Sequence, residues 1–307
     1  MSQKSSGLTA LLNNGGIMLL FATFLWGGNA VAGKLANGEV SPMLLTFFRW
    51  FLASIIVVIV ARKHLVEDWK AIRDNIWYFV LMAPIGFTLF NLMLYSALTY
   101  TTALNVTIEQ AAMPMFIFLI NFIIFRAKPL AIQLIGYTVT LIGVLLTVSG
   151  GDYTRLLNLE FNQGDIIMIF AAFSYAGYSV GLRAKPKMHW MSFLSVLIFI
   201  AGIVSIPFAL YEWTTPKFIW PHSSLGWGVV AYAAIGPSII AQACFIRGNE
   251  LLGANNAALF LNSVPIFGAL LSVLILGEAF QWYHALAMVL VLGGIFVAQH
   301  FAKKLKA

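Results

Sequence analysis

Apolar runs recur along the whole chain, each bounded by a short polar stretch. They lie near Gly16–Ala36, Pro42–Ala61, Trp77–Leu98, Ala103–Phe125, Ala131–Ser149, Asp165–Gly181, Met191–Tyr211, Leu225–Phe245, Ala254–Leu276 and Trp282–Phe301. At 1.5 Å per residue, about 20 apolar residues cross a hydrocarbon layer roughly 30 Å thick. The pattern therefore predicts ten transmembrane helices, which use most of the 307 residues and leave no room for a folded soluble domain. Pro84, Pro114, Pro207, Pro237 and Pro265 fall inside these runs. Each removes a backbone donor and frees a carbonyl, so each marks either a fixed bend or a hinge. The polar stretch Arg62–Ile76 places Leu65, Trp69 and Ile72 on one helical stripe, which predicts an interfacial helix with Trp69 at headgroup depth.

Composition agrees with the pattern. Hydrophobic residues make up 61% of the chain and charged residues 9%, against about 25% charged in a soluble domain. The expectation is an all-α integral membrane protein. Alternate connections differ sharply in charge: fourteen of the 18 Lys and Arg fall on one side, including Lys4, Arg62, Lys63, Arg126, Lys128, Arg183, Arg247 and Lys303. Lys34, Arg155 and Lys217 fall on the other, and Arg49 lies within a span. Cytoplasmic loops retain Lys and Arg, which places both termini in the cytoplasm of a bacterial-type inner membrane. The net charge of +7 flanks the spans and does not gather on one segment, so the expected partner is the anionic bilayer and not nucleic acid. Cys244 is the only cysteine, which leaves no internal disulfide and no thiol metal site. No metal or cofactor is expected. Gly16–Ala36 has no convincing cleavage site and is read as a permanent span.

The chain also resembles itself. Phe21–Gly28 aligns with Phe170–Gly177 at an offset of 149, and Ala103, Asn105, Pro114 and Phe116 align with Ala254, Asn256, Pro265 and Phe267 at an offset of 151. Gly143 falls on Gly294 in the same order. A unit of five spans is odd, so the second copy enters the membrane from the opposite side. Two inverted five-helix repeats, 16–149 and 165–302, follow, and such repeats underlie alternating access in transporters.

Trp26-Gly27-Gly28-Asn29, Phe48-Arg49-Trp50, Pro114, Pro265, Leu276-Gly277-Glu278 and Gly293-Gly294 together resemble the drug/metabolite transporter superfamily, in particular its EamA-type members. The resemblance covers roughly the whole chain. It implies ten helices in two repeats, a small-molecule substrate drawn from amino acids and related metabolites, and movement that is often outward. One departure is Arg126-Ala127-Lys128, where the family often carries an acidic residue.

Arg49 and Glu109 are the groups hardest to place in hydrocarbon, where a charge costs at least about 2.5–3.5 kcal/mol. Each lies about six residues, or roughly 9 Å, below the same membrane face, a depth that permits a salt bridge. Such a pair either fastens the first repeat together or places Glu109 in a cavity as a site for a substrate amine or a proton. Trp26, Asn29, Asn91, Gln110, Tyr175, Tyr178, Gln242, Asn255, Asn256, Asn262 and His284 are further polar groups within spans. They serve as helix cross-links or as cavity residues, and Trp26 with Tyr175 and Asn105 with Asn256 occupy equivalent positions in the two repeats.

Two patterns misdirect. Gly28–Lys34 has phosphate-loop spacing, but it lies in an apolar helix and is followed by Leu35 where Ser or Thr would hold magnesium. Close helix packing through Gly28 and Ala32 explains it, with Lys34 reaching to headgroups, and ATP is not expected to drive the protein. Gly177–Gly181 has nucleophile-elbow spacing without a strand or a nearby His and acid, and reads as helix packing. The chain is therefore not expected to be an enzyme. It reads as a secondary transporter that exports amino acids or related metabolites by alternating access. Proton-coupled uptake of a polar metabolite and, in another class, a lipid scramblase or membrane enzyme remain as alternatives.

Overall fold

The computed structural model describes residues 14–126, 130–152, 154–155, 158, 162–252 and 260–304, with side chains as far as residue 298. The long helices are α1 (Gly15–Leu35), α2 (Pro42–Glu67), α3 (Ile76–Ala97), α4 (Ala103–Phe125), α5 (Ala131–Val148), α6 (Gln163–Ala184), α7 (Trp190–Trp213), α8 (Ser224–Leu252), α9 (Ser263–Leu276) and α10 (Trp282–Lys304). The first eight are long and apolar enough to cross a membrane, and α9 and α10 add shorter apolar stretches. No strand occurs among the described residues. Asn255 and Asn256 lie outside the described residues, as do Ala127 and Lys128.

Local chemistry sets the helix ends. Thr102 and Ser223 accept backbone N–H groups from Asn105 and Gly226 at 3.1 and 2.9 Å, capping α4 and α8. Gly277, at φ +66°, closes α9 in the left-handed conformation that glycine tolerates best. α2 runs past its apolar stretch to Glu67, and a separate short helix covers Trp69–Asp74. The single interfacial stripe expected over Arg62–Ile76 is thus broken at Asp68: Ile72 turns inward and is buried, whereas Trp69 is exposed. Arg, Lys, Leu and Glu all favour helix, so leaving the apolar run does not end α2.

The prolines act in two ways. Pro84 opens a π-helical turn, Pro84–Leu89, within α3, and Pro237 sits in another, Gly236–Ile240, within α8. Pro114 and Pro265 each follow a break, at residues 111–112 in α4 and 261–262 before α9. Pro207 lies inside an unbroken α7.

The main packed pairs are α5 with α10, α2 with α7, α1 with α8 and α9, α6 with α3 and α4, and α4 with α9. Small residues sit at these crossings. A Cβ on Gly27 would lie 2.7 Å from the Gly268 nitrogen, and one on Gly136 would collide with the Gly294 carbonyl. Such close backbone approach is how helices associate where lipid removes the usual hydrophobic drive. Ile59, Val60, Ile123, Ile124, Leu274 and Val289 point outward as exposed apolar surface. Trp69 and Trp77 are exposed near one end of the bundle and Trp213 and Trp282 near the other, as in aromatic interface belts.

Polar contacts tie one end together, the end holding the α1–α2 turn. The Glu212 carboxylate accepts the Met43 and Leu44 N–H groups at 3.2 and 2.9 Å. Glu278 does the same for Ala103 and Leu104, both at 2.8 Å. Each carboxylate thus fills the unsatisfied donors of a helix start, with the helix dipole favouring its charge. Lys34 donates to the Leu98 and Thr101 carbonyls at 3.0 and 2.6 Å. It clamps the α3–α4 turn and does not reach out to headgroups as expected, because these carbonyls at the end of α3 lack helical partners. The opposite end carries Arg62, Lys63, Arg183, Lys185, Lys187 and Arg247.

Candidate functional site

A cavity of about 330 Å³ lies within the bundle, between α1, α2, α3, α4, α6, α8 and α9. That volume is at the lower end of the range for small-molecule sites. Its α6, α8 and α9 walls come from Tyr175–Leu182, Gln242–Phe245 and Leu261–Pro265, the halves of those helices nearer the basic end. The end holding the α1–α2 turn is the one closed by Glu212, Glu278 and Lys34.

The π-helical turns shape the walls. In α3, Gly86 lets the Tyr178 ring lie directly against the backbone, where no side chain would fit. The displaced carbonyls are satisfied from the side: Ile85 accepts the Ser174 hydroxyl at 2.7 Å and Phe87 accepts the Asn91 amide at 2.8 Å. In α8, the Pro237 carbonyl accepts the Trp26 indole N–H at 3.0 Å. This bond fixes Trp26 on the cavity wall, with Phe245 tilted against it at 5.2 Å. Tyr175 faces it from α6, packed on Phe90 at 5.0 Å and on Tyr178 at 5.5 Å.

Arg49 is buried and projects into the wall from α2. Its Nη1 donates to Asn29 Oδ1 at 2.8 Å and to Tyr95 Oη at 2.7 Å, and the Tyr95 hydroxyl donates in turn to Asn29 at 2.9 Å. The guanidinium also lies 4.6 Å from the centre of the Trp50 ring. Every one of these partners is neutral. The expected Arg49–Glu109 salt bridge does not form, because Glu109 is rotated away. Thr107, Gln110 and Ala111 line the cavity, and at about 100° per residue Glu109 falls on the far side of α4. There it meets the Asp165 carboxyl of α6.

Three buried polar atoms on the cavity wall have no hydrogen-bond partner: Arg49 Nε, Trp50 Nε1 and Asn91 Oδ1. Buried polar groups are nearly always satisfied, and an orphan costs about 1–3 kcal/mol. Two donors and one acceptor beside the cavity are thus left without a protein partner. Among the described residues Arg49 is the only charged side chain on the wall, and no acid lines it.

Trp26, Asn29, Arg49, Asn91, Gln110, Tyr175, Gln242 and Asn262 line this cavity together, and Tyr178 packs directly behind Tyr175. Glu109 is not on the wall, and Asn256 lies outside the described residues. The sequence reading missed Trp50, Tyr95 and Asp165. Tyr95 stands four residues from Asn91, a spacing that places both on one helix face. Asp165 is easily taken for an ordinary acid at a helix start.

Comparison with known proteins gives a consistent result. The EamA-like transporter family matches the chain twice, at residues 13–149 and 162–298. The uncharacterized transporter YetK of Bacillus subtilis is 25% identical over 300 residues, spanning 96% of this chain and 90% of its own. The uncharacterized inner membrane transporter YicL of Salmonella typhimurium is 23% identical over 296 residues, spanning 92% of this chain and 94% of its own. A solved crystal structure superposes with a TM-score of 0.65 at 21% identity, covering 95% of this chain and 99% of that one. At that identity the likeness speaks to the fold alone.

Proposed function

The chain belongs to the EamA-like transporter family, and from that premise we propose that it is a secondary transporter exporting amino acids or related carboxylates across the inner membrane by alternating access. The observation that carries the substrate class is Arg49. It is a buried cation on a cavity wall that carries no acid among the described residues, with its Nε unpartnered beside the free Trp50 indole N–H. A buried charge demands a counter-charge, and a carboxylate matches the guanidinium fork. Asn91 Oδ1 offers an acceptor for an amine or hydroxyl donor on the same solute. Trp26, Phe87, Phe90 and Tyr175 leave apolar space for its side chain.

Alternating access rests on the inverted repeat. Two family matches, at residues 13–149 and 162–298, support a division into halves at 16–149 and 165–302. π-Helical turns with proline recur in α3 and α8, and helix breaks before proline recur in α4 and at α9. Exchanging α1–α5 with α6–α10 leaves the main packed pairs unchanged: α1 with α8 becomes α6 with α3, and α1 with α9 becomes α6 with α4. With the basic end cytoplasmic, the present conformation has its cavity displaced inward and its outer end shut by Glu212 and Glu278. Exchange of the two halves' conformations would open the cavity outward.

The test is efflux of radiolabelled amino acids from loaded proteoliposomes, with and without a pH gradient. Efflux above protein-free vesicles is expected for at least one amino acid. Absence of flux for the whole set would overturn the substrate class.

A further inference from the structure

The cavity leaves one buried cluster unused. Glu109 is 1% exposed and Asp165 2% exposed, on neighbouring helices α4 and α6, with their carboxyls confronting each other. Neither Glu109 oxygen nor Asp165 Oδ1 has a hydrogen-bond partner. Thr101 and Asn105 approach Asp165 from the start of α4. Among the described residues no Lys or Arg forms an ion pair with either acid.

The surrounding groups do not supply the missing charge. His284 of α10 accepts the Gln281 N–H on Nδ1 at 3.0 Å, so its proton is on Nε2, which donates to Asn105 Oδ1 at 3.1 Å. That imidazole is neutral. Tyr283, also on α10, faces Asp165 and is itself near Arg155. Lys34 of α1 is committed to the Leu98 and Thr101 carbonyls, and Glu278 to the start of α4. Two carboxylates in contact away from water and without a cation repel each other and cannot both stay ionised. A single shared proton removes the repulsion and supplies a donor for the orphaned oxygens, as in other paired-carboxyl sites.

We propose that Glu109 and Asp165 form a proton-binding site, separate from the solute cavity, through which proton movement is coupled to solute movement. The coupling half rests on the transporter reading. Asp165 lies in the first turn of α6, near the end of the bundle assigned to the outside. Gln110, adjacent to Glu109, is on the cavity wall. Rotation or tilt of α4 therefore moves both sites at once.

Two measurements test this. Infrared difference spectra of the purified protein, titrated with pH, report the carbonyl stretch of protonated buried carboxylic acids without any substrate. A band is expected at neutral pH, lost in both Glu109→Gln and Asp165→Asn. No band in the wild type, or a band unchanged in both variants, would overturn the site. In proteoliposomes, one pH unit sustains at most about tenfold accumulation of a labelled amino acid for one-proton exchange. Both variants should fall to no accumulation yet keep equilibrium exchange of the same amino acid, which needs no net proton movement and shows that they fold. Accumulation that persists in the variants, or that follows sodium and ignores pH, would overturn the coupling. Absence of exchange in the wild type would instead refute the cavity reading, and the infrared result would still decide the proton site.

Discussion

Replacing Arg49 with glutamine removes the only charge that the described residues place on the cavity wall while keeping a polar side chain. Hydrogen bonds to a charged group contribute about 1.5–3 kcal/mol. With each 1.4 kcal/mol worth about tenfold in affinity, Arg49→Gln should weaken half-saturation by about tenfold to a little over a hundredfold for carboxylate solutes. The fold should suffer little. The Tyr95 hydroxyl still donates to Asn29, and a polar link between membrane helices contributes only about 0.6 kcal/mol on average. Arg49→Lys should fall between the two, since it keeps the charge and loses the planar fork. The assay is concentration-dependent uptake into proteoliposomes of a carboxylate and its decarboxylated partner, such as phenylalanine and phenethylamine. Wild type should strongly prefer the acid, and Arg49→Gln should lose that preference. Equal handling of both compounds by the wild type, or an unchanged half-saturation in Arg49→Gln, would refute the reasoning.

Other consequences follow from the packing. Glu278→Gln leaves one acceptor for the two N–H groups at the start of α4 and removes the charge favoured there. A loss of about 1–2 kcal/mol is expected, read as a lower unfolding temperature in detergent. An unchanged temperature would mean that Glu278 does not hold that end. Gly136→Leu should prevent proper folding, because even a Cβ there collides with the Gly294 backbone, whereas Gly293→Ala meets nothing and should be neutral. Size-exclusion profiles of the two variants should differ accordingly, and equal profiles would contradict the α5–α10 crossing. Trp26→Phe removes the donor to the Pro237 carbonyl while keeping an aromatic wall. It should alter solute selectivity more than stability, as measured by competition among unlabelled amino acids.

Hydropathy made eight of the runs legible as candidate spans because lipid demands long apolar runs, whereas the last two helices are shorter, with α9 beginning only at Ser263. It could not tell where helix continues into polar sequence, so the extension of α2 to Glu67 was not visible. Placement along the chain was equally legible: Arg49 and Glu109 do lie within apolar helices and are buried. Rotation about the helix axis was not, since a sequence gives the angle between residues on one helix and not the angle between helices. Hence Arg49 finds Asn29 and Tyr95, while Glu109 finds Asp165. Lys34 fails for another reason, because the free carbonyls at the end of α3 lie 64 and 67 residues away in sequence. The cavity residues were recoverable in large part since a polar side chain in an apolar helix must face protein or water.

Alternating access is tested most directly by asking from which side the cavity can be reached. In a Cys244→Ser background, a single cysteine at Asn262, on the cavity wall, can be exposed to a membrane-impermeant maleimide in right-side-out and inside-out vesicles. Labelling from both sides is expected, with a ratio that shifts when a transported amino acid is added. Labelling from one side only, unaffected by every amino acid that the protein moves, would contradict it.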